Sequence, residues 1–255
     1  MFAQKTVIVL TCAMMLGLFS GCGTIHEATV PDPPKLTSFL PRHELLVRQR
    51  AEFPLHYFWR DKNANWDDYT AIYIAPVNLS YIMKDNWWNQ VSAASMVKIK
   101  KELPAVGEYM RNAFIKELRK VESKGGFKVV DNPGGAGTVT LELAITQLVP
   151  TEAELNYLGT AGDFFLPGSG LAASMVSAGC VSFEGKLIDP AKGRLLLMVA
   201  DRENDPAGLI SLTSYTWYGS AEYNMDKWAR QAAAMSVANR LEDVSREFPL
   251  HLIVY

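Results

Sequence analysis

Two stretches of the chain carry the apolar spacing of amphipathic helices. In residues 104–121 apolar side chains recur every three or four positions, and Pro104 suits the first position of a helix. A second helix is predicted from about Met225 to Glu247, with Asn224 as its candidate N-cap. Each helix is therefore expected to bury one face and to expose the other.

Strand patterns dominate the rest of the folded region. Five segments alternate between apolar and polar residues or are largely apolar: Thr70–Val77, Phe127–Asp131, Thr138–Ile145, Val181–Ile188 and Arg194–Asp201. The last two flank a turn that ends at Gly193, where a positive φ is expected. The order of elements predicts an α/β (α+β) sandwich, a single domain in which two main helices pack on a mixed, mostly antiparallel sheet.

The N-terminal segment has a different character. Lys5 precedes fourteen uncharged, mostly apolar residues, Thr6–Phe19, a run too short to span a bilayer as a helix. The run leads into Leu18-Phe19-Ser20-Gly21-Cys22, which resembles the bacterial lipobox, with Phe19 where Leu is commonest. That resemblance implies that residues 1–21 are a signal peptide and that the sulfur of Cys22 carries a diacylglyceryl group. The alternative is a secretory signal with an incidental cysteine.

Lipidation of Cys22 predicts anchoring by acyl chains, because two or more chains hold a protein on a membrane where one is marginal. Gly23 follows, without the Asp that resembles an inner-membrane retention signal. The predicted location is therefore the periplasmic face of the outer membrane, with its lipid as a partner.

A proline-rich segment follows the anchor and predicts an extended tether. The expected boundaries are 22–54 for the lipidated cysteine and tether, and 55–255 for the globular α/β domain.

The composition argues against a nucleic-acid partner and against an intramolecular disulfide. The 25 Lys and Arg face 27 Asp and Glu, so the chain has no positive excess for binding a nucleic acid. Of the three cysteines, Cys12 leaves with the signal peptide and Cys22 is lipidated, which leaves Cys180 without an intramolecular disulfide partner. Its apolar neighbours predict that Cys180 is buried.

No motif predicts an enzyme. Ser95-Met-Val-Lys98 matches the Ser-x-x-Lys of penicillin-recognising enzymes, but their Ser-Asp-Asn and Lys-Thr-Gly motifs are missing. Asp201, Glu203 and Asp205 alternate as in a calcium loop, yet a proline replaces the required glycine, and we interpret them as a solvated strand end. The four histidines have no metal-ligand spacing, so neither a metal nor another cofactor is expected.

Aromatic residues are dense in residues 57–88. Such side chains can stack on sugar rings, which would suit a binder of cell-wall glycans. They also fill cores between sheets and helices, and this interpretation is favoured because buried aromatics are common in cores.

Charge is nearly absent from two later stretches. Between Glu154 and Glu184 the only charged residue is Asp163, and residues 206–221 contain none. Segments of this kind are expected to be covered by the core, by a partner or by lipid. Their aromatic residues are the candidate interaction residues: Phe164, Phe165, Tyr215 and Trp217.

Short strand motifs resemble a known family. They are Phe58-Trp-Arg60, Trp66–Val77, Phe183–Asp189 and Val199-Ala-Asp-Arg202. They resemble the bacterial lipoproteins grouped as domain of unknown function 3313, over roughly residues 55–247, which implies an outer-envelope lipoprotein and supplies no catalytic residues. The predicted function is a non-catalytic envelope protein-interaction module that binds another envelope protein or itself. A ring-forming secretion or export lipoprotein and a cell-wall glycan binder are the alternatives.

Overall fold

The computed structural model describes residues 30–85, 88–89, 91–150, 179–204 and 217–247. Within these residues, two α-helices pack on one face of a seven-stranded sheet. The helices are α1 (Ala93–Arg119) and α2 (Gly219–Val237). The strands are β1 (Val47–Arg48), β2 (Tyr57–Arg60), β3 (Ala71–Ile74), β4 (Lys128–Val130), β5 (Thr138–Val149), β6 (Cys180–Asp189) and β7 (Arg194–Asn204).

The sheet has the strand order β1-β2-β7-β6-β5-β3-β4. Strand β3 is parallel to both of its neighbours, β4 and β5, and every other pairing is antiparallel. The predicted α+β sandwich with a mixed, mostly antiparallel sheet is therefore confirmed. No helix of the described residues combines the length and the apolar character needed to cross a membrane.

The turn between β6 and β7 forms where the sequence predicts it. Gly193 has a φ of 60°, in the left-handed region that a glycine adopts without steric cost. The Asp189 carboxylate accepts hydrogen bonds from the backbone N–H groups of Ala191, at 3.0 Å, and Lys192, at 3.2 Å. These contacts fix the hairpin and therefore the register of β6 against β7.

Helix α1 begins eleven residues before the predicted first position, Pro104. Its N-cap is Ser92, whose hydroxyl accepts a hydrogen bond from the Ser95 N–H. The apolar face extends upstream through the buried residues Ile99 and Leu103, while Pro104 lies on the exposed side of the helix. The predicted start was wrong because Pro104 was taken as a boundary instead of an interior residue.

Helix α2 also differs from its prediction at both ends. It begins at Gly219, so Asn224 is not the N-cap but a buried interior residue. It ends at Val237, because Ala238 turns into an extended conformation and a short 3-10 helix follows at Leu241–Asp243. This exit from the helix lets the N–H of Arg246 donate to the Glu52 carbonyl at 2.8 Å.

The second face of the sheet is covered by a segment that was predicted to be tether. Phe39 and Leu40 are buried there against apolar side chains of β5 and β7: Ala144, Met198 and Ala200. Thr37 holds the segment in place, since its N–H and hydroxyl donate to the Glu184 carboxylate at 2.5 and 2.8 Å. The compact unit starts at Pro33. The expected domain start at residue 55 is therefore corrected to residue 33.

A chain that starts at Leu55 should consequently be much less stable than one that starts at Pro33. The shorter chain lacks Phe39 and Leu40, two buried side chains whose burial contributes about 1.5–3 kcal/mol each to the free energy of unfolding. We expect the urea midpoint, followed by circular dichroism, to fall sharply for the shorter chain. Equal midpoints would mean that residues 33–54 are a tether after all.

Most described aromatics of residues 57–88 pack within the fold. Tyr69 and Trp88 belong to the core under the helices. Tyr57, Trp59 and Tyr81 are partly buried against the second face. The core interpretation accounts for these residues, and Trp87 lies outside the described part of the chain.

Candidate functional site

Two acidic side chains of β7 lie in the interior of the protein. Asp201 is 0% exposed and Glu203 is 7% exposed. They share a face of the strand with Leu197 and Val199, which pack in the core beneath the helices. The interpretation of Asp201 and Glu203 as a solvated strand end was therefore wrong. Asp205 lies outside the described residues.

The Asp201 carboxylate is fully engaged by groups from three other segments. One oxygen accepts from the His56 N–H at 2.9 Å and from Arg246 Nη2 at 3.0 Å, and it also contacts His56 Nδ1. The other oxygen accepts from the Trp228 indole at 2.7 Å. Burial alone would raise the pKa of Asp201, but the His56 hydrogen bond and the positive Arg246 hold it below its usual value.

Glu203 completes the cluster. Its carboxylate accepts from Lys227 Nζ at 2.9 Å and from Arg246 Nη1 at 2.5 Å. Burial and the neighbouring Asp201 raise the pKa of Glu203, against the opposing effect of the two cations. Arg246 also donates to the Phe53 carbonyl at 3.2 Å. We call these five side chains the buried ion cluster: His56, Asp201, Glu203, Lys227 and Arg246.

The buried ion cluster joins segments that are remote in the sequence. Lys227 is 2% exposed and Arg246 is 7% exposed, so both cations are buried together with the acids that neutralise them. Such an arrangement links β7 to α2 and to the segment after it. Its geometry is that of a structural cross-link, because every charged group already has a partner.

A separate feature, a cavity of about 550 Å3, lies between the sheet and the two helices. Apolar side chains from both layers form most of its walls, among them Leu118, Phe127, Leu141, Leu143, Phe183 and Leu197. Its volume and lining are typical of a small-molecule site, since such pockets hold roughly 300–1,000 Å3 and contain few polar groups. We refer to it as the interlayer cavity.

Two polar residues of the interlayer cavity stand out. Gln231 is 2% exposed, and neither its amide nitrogen nor its amide oxygen has a hydrogen-bond partner among the described residues. Arg60 is exposed, and its guanidinium lies 4.3 Å from the centre of the Trp66 ring. Neither residue was predicted from the sequence to form a binding site. A polar Gln231 between the apolar Trp228 and Ala232 on one helix was the signal that could have revealed the first.

The predicted interaction residues fall into two groups. Trp217 is fully buried in the core, where its ring meets Trp88 at 5.9 Å and Tyr218 at 5.3 Å. Its side chain is therefore not available to a partner, which corrects its place among the interaction residues. Three interaction residues and the lipidation site lie outside the described residues: Phe164, Phe165, Tyr215 and Cys22.

The other sequence candidates have local roles. Ser95 is buried in the cap of α1, where its hydroxyl accepts from Ser92 at 3.0 Å, whereas Lys98 is exposed. Cys180 is buried, as predicted. In the described part of the chain, no group of three or more His, Cys, Asp and Glu side chains is placed to hold a metal ion.

Comparison with known structures finds two similar chains from Paraburkholderia phytofirmans. A dodecamer of a PelC variant is 10% identical with a TM-score of 0.40, covering 72% of this chain and 98% of that chain. A PelC dodecamer in another crystal form is 10% identical with a TM-score of 0.36, and the match covers 68% of this chain and 94% of that chain. No curated protein matches the sequence.

A family model settles the relationship that the strand motifs indicated. The model described as Protein of unknown function (DUF3313) matches residues 36–232. This range includes the segment on the second face of the sheet, all seven strands and most of α2. The match covers well over half of the chain, and the chain therefore belongs to the DUF3313 family.

Proposed function

We propose that this chain is a lipoprotein on the periplasmic face of the outer membrane, anchored by acyl chains on Cys22. Its folded domain is a non-catalytic module that binds another envelope protein or a second copy of itself. The lipobox-like sequence before Cys22 supports the anchor. The shared position of the strand ends that border the two charge-poor segments supports the proposal of an interaction module.

That placement follows from the strand register. Val149, at the end of β5, pairs with Cys180 at the start of β6, and Cys180 pairs with Asn204 at the end of β7. The strand ends that border residues 151–178 and 205–216 therefore lie next to one another, at the same end of the sheet. Two segments with few charges that connect at the same end of the sheet can supply apolar residues, among them Phe164, Phe165 and Tyr215, to one contact surface for a partner.

The absence of catalysis is supported by the roles of the candidate groups. The Ser95 hydroxyl takes part in the N-cap of α1. Asp201 and Glu203 are neutralised by cations in the buried ion cluster. A carboxylate that is fully paired in the interior is a poor candidate for acid–base work on a substrate.

Phe165→Asp should abolish crosslinks of the membrane-anchored protein to its partner while cooperative thermal unfolding is retained. An unpaired charge at the dry centre of an interface costs several kcal/mol, whereas an exposed change elsewhere costs little. Val97→Asp is the matched control, because Val97 is a large apolar residue that is 71% exposed on α1. Crosslinking in the intact envelope, followed by mass spectrometry of the products, measures the effect.

The identity of the lost product distinguishes the kinds of partner. A lost hetero-complex supports an interaction module, and a lost regular homo-oligomer supports the ring-forming alternative. Crosslinks that persist in Phe165→Asp at wild-type levels would contradict both. Retention on purified peptidoglycan that Trp59→Ala removes would instead favour the glycan binder.

A further inference from the structure

We infer that the interlayer cavity is a binding site for a single acyl chain with an anionic head group. This inference goes beyond the proposed function and does not depend on it. It rests on the apolar walls of the cavity, on the buried amide of Gln231 and on the cation at Arg60.

The walls and the volume fit one extended hydrocarbon chain. A cavity of about 550 Å3 has room for roughly 18 groups of about 30 Å3, the share of one water in the liquid and close to the size of a methylene group. Side chains from the sheet, such as Leu143 and Phe183, face Phe114 and Leu118 of α1 across it. Each methylene transferred there from water is worth about 0.8 kcal/mol, so a long chain gains substantial binding energy.

Gln231 indicates that the occupant is not a plain hydrocarbon. Burial of an amide without a hydrogen-bond partner is costly, and Gln231 has none for either amide atom among the described residues. A ligand that carries a carbonyl, hydroxyl or carboxylate oxygen can accept from the amide N–H. The residue is therefore placed to recognise a polar group attached to the apolar chain.

Arg60 indicates the sign of the head group. Its guanidinium lies over the Trp66 ring. The pKa of Arg60 is lowered because the side chain is partly removed from water, and no neighbouring acid contributes to the shift. Both residues line the cavity, as does Asp67 beside them. The planar guanidinium is suited to paired hydrogen bonds with a carboxylate or a phosphate, so a free fatty acid and a lysophospholipid share the chemistry that this site recognises.

The test uses polypeptide 22–255 with Cys22→Ser, which has no acyl chains of its own, and the fluorescent fatty acid parinarate as probe. Parinarate is expected to bind with one-to-one stoichiometry. Palmitate, lysophosphatidylglycerol and uncharged hexadecanol are then compared as competitors. Displacement by palmitate assigns a carboxylated chain and displacement by the lysophospholipid a phosphorylated one. No binding of parinarate, or equal competition by hexadecanol, would overturn the inference.

Gln231→Leu gives a result that a merely structural role would not produce. Removal of an unsatisfied buried amide should raise the unfolding midpoint of the ligand-free protein. The same change should weaken parinarate binding about fivefold, the value of one net hydrogen bond of about 1 kcal/mol. A lower midpoint, or unchanged affinity, would show that Gln231 does not face a ligand.

Substitution of Arg60 tests whether the head group of the ligand is anionic. Arg60→Gln should weaken parinarate binding about tenfold or more, because hydrogen bonds to charged groups are worth about 1.5–3 kcal/mol. Asp67→Asn should leave affinity unchanged or raise it. Arg48→Gln is the matched control, since Arg48 is an exposed arginine on β1 that does not line the cavity. Equal affinities for Arg60→Gln and Arg48→Gln would refute an anionic head group at Arg60.

Discussion

Asp201→Asn should lower the free energy of unfolding by about 3–5 kcal/mol, the usual cost of removing one partner from a buried ion pair. The substitution leaves Arg246 and His56 facing a neutral amide in an interior where Asp201 was 0% exposed. A measurable fraction of the molecules should therefore be unfolded at 37 °C. Urea unfolding followed by circular dichroism measures the loss.

Asp131→Asn is the control for this prediction. Asp131 is also an aspartate in an ion pair, with Arg119 at 3.5 Å, but its side chain is 86% exposed. Exposed pairs contribute about 0–1 kcal/mol, so this variant should unfold close to the wild-type midpoint. Equal losses for the two variants would show that the buried ion cluster contributes no more than a surface pair.

The loss at Asp201 should also have a defined dependence on pH. The folded-state pKa of Asp201 is lowered from its ordinary value of 3.8, so its stabilisation is fully present above that value. Stabilisation disappears only as the pH falls through the lowered pKa. The stabilisation that the Asp201 carboxylate provides should therefore be present at neutral pH and be lost below about pH 4.

Trp217→Asp should prevent cooperative folding. Truncation of a buried tryptophan costs about 3–5 kcal/mol, and an unpaired charge in the same place adds to that cost. Trp217 is 0% exposed and makes edge-to-face contacts with Trp88 and Tyr218. A thermal scan by near- and far-ultraviolet circular dichroism should show no cooperative transition.

Trp217→Phe separates packing from hydrogen bonding at this position. The indole nitrogen has no partner among the described residues, so its removal loses no contact seen there. We expect Trp217→Phe to fold and to lose much less stability than Trp217→Asp. A cooperative transition in Trp217→Asp would place the residue on the surface that the charge-poor sequence suggested.

Local patterns predicted the elements whose cause is local. The hairpin at Asp189–Gly193 is determined by one carboxylate and one positive φ, both within five residues. Strand β5 was predicted because its alternating residues bury one face against the helices. The predicted start of α1 was wrong because it relied on one residue, Pro104. A proline is compatible with the interior of α1, where Pro104 lies on the exposed side.

The remaining features depend on residues that are distant in the sequence. Asp201 and Glu203 have the spacing of any exposed strand end, and the groups that neutralise them come from His56, Lys227 and Arg246. Phe39 and Leu40 show no periodicity, because they cover the far side of the sheet, and their buried contacts Ala144, Met198 and Ala200 lie more than a hundred residues later. The interlayer cavity is a property of packing between layers, which no residue pattern encodes.

The mass of the intact protein tests the proposal that Cys22 carries the lipid anchor of an envelope protein. Protein extracted from the cell envelope should begin at Cys22 and exceed the mass of polypeptide 22–255 by that of a diacylglyceryl group, with or without an amide-linked acyl chain. Cys22→Ser should lack this added mass and remain as unlipidated or unprocessed precursor. An N-terminus other than Cys22, or a wild-type mass equal to the bare polypeptide, would contradict the anchor.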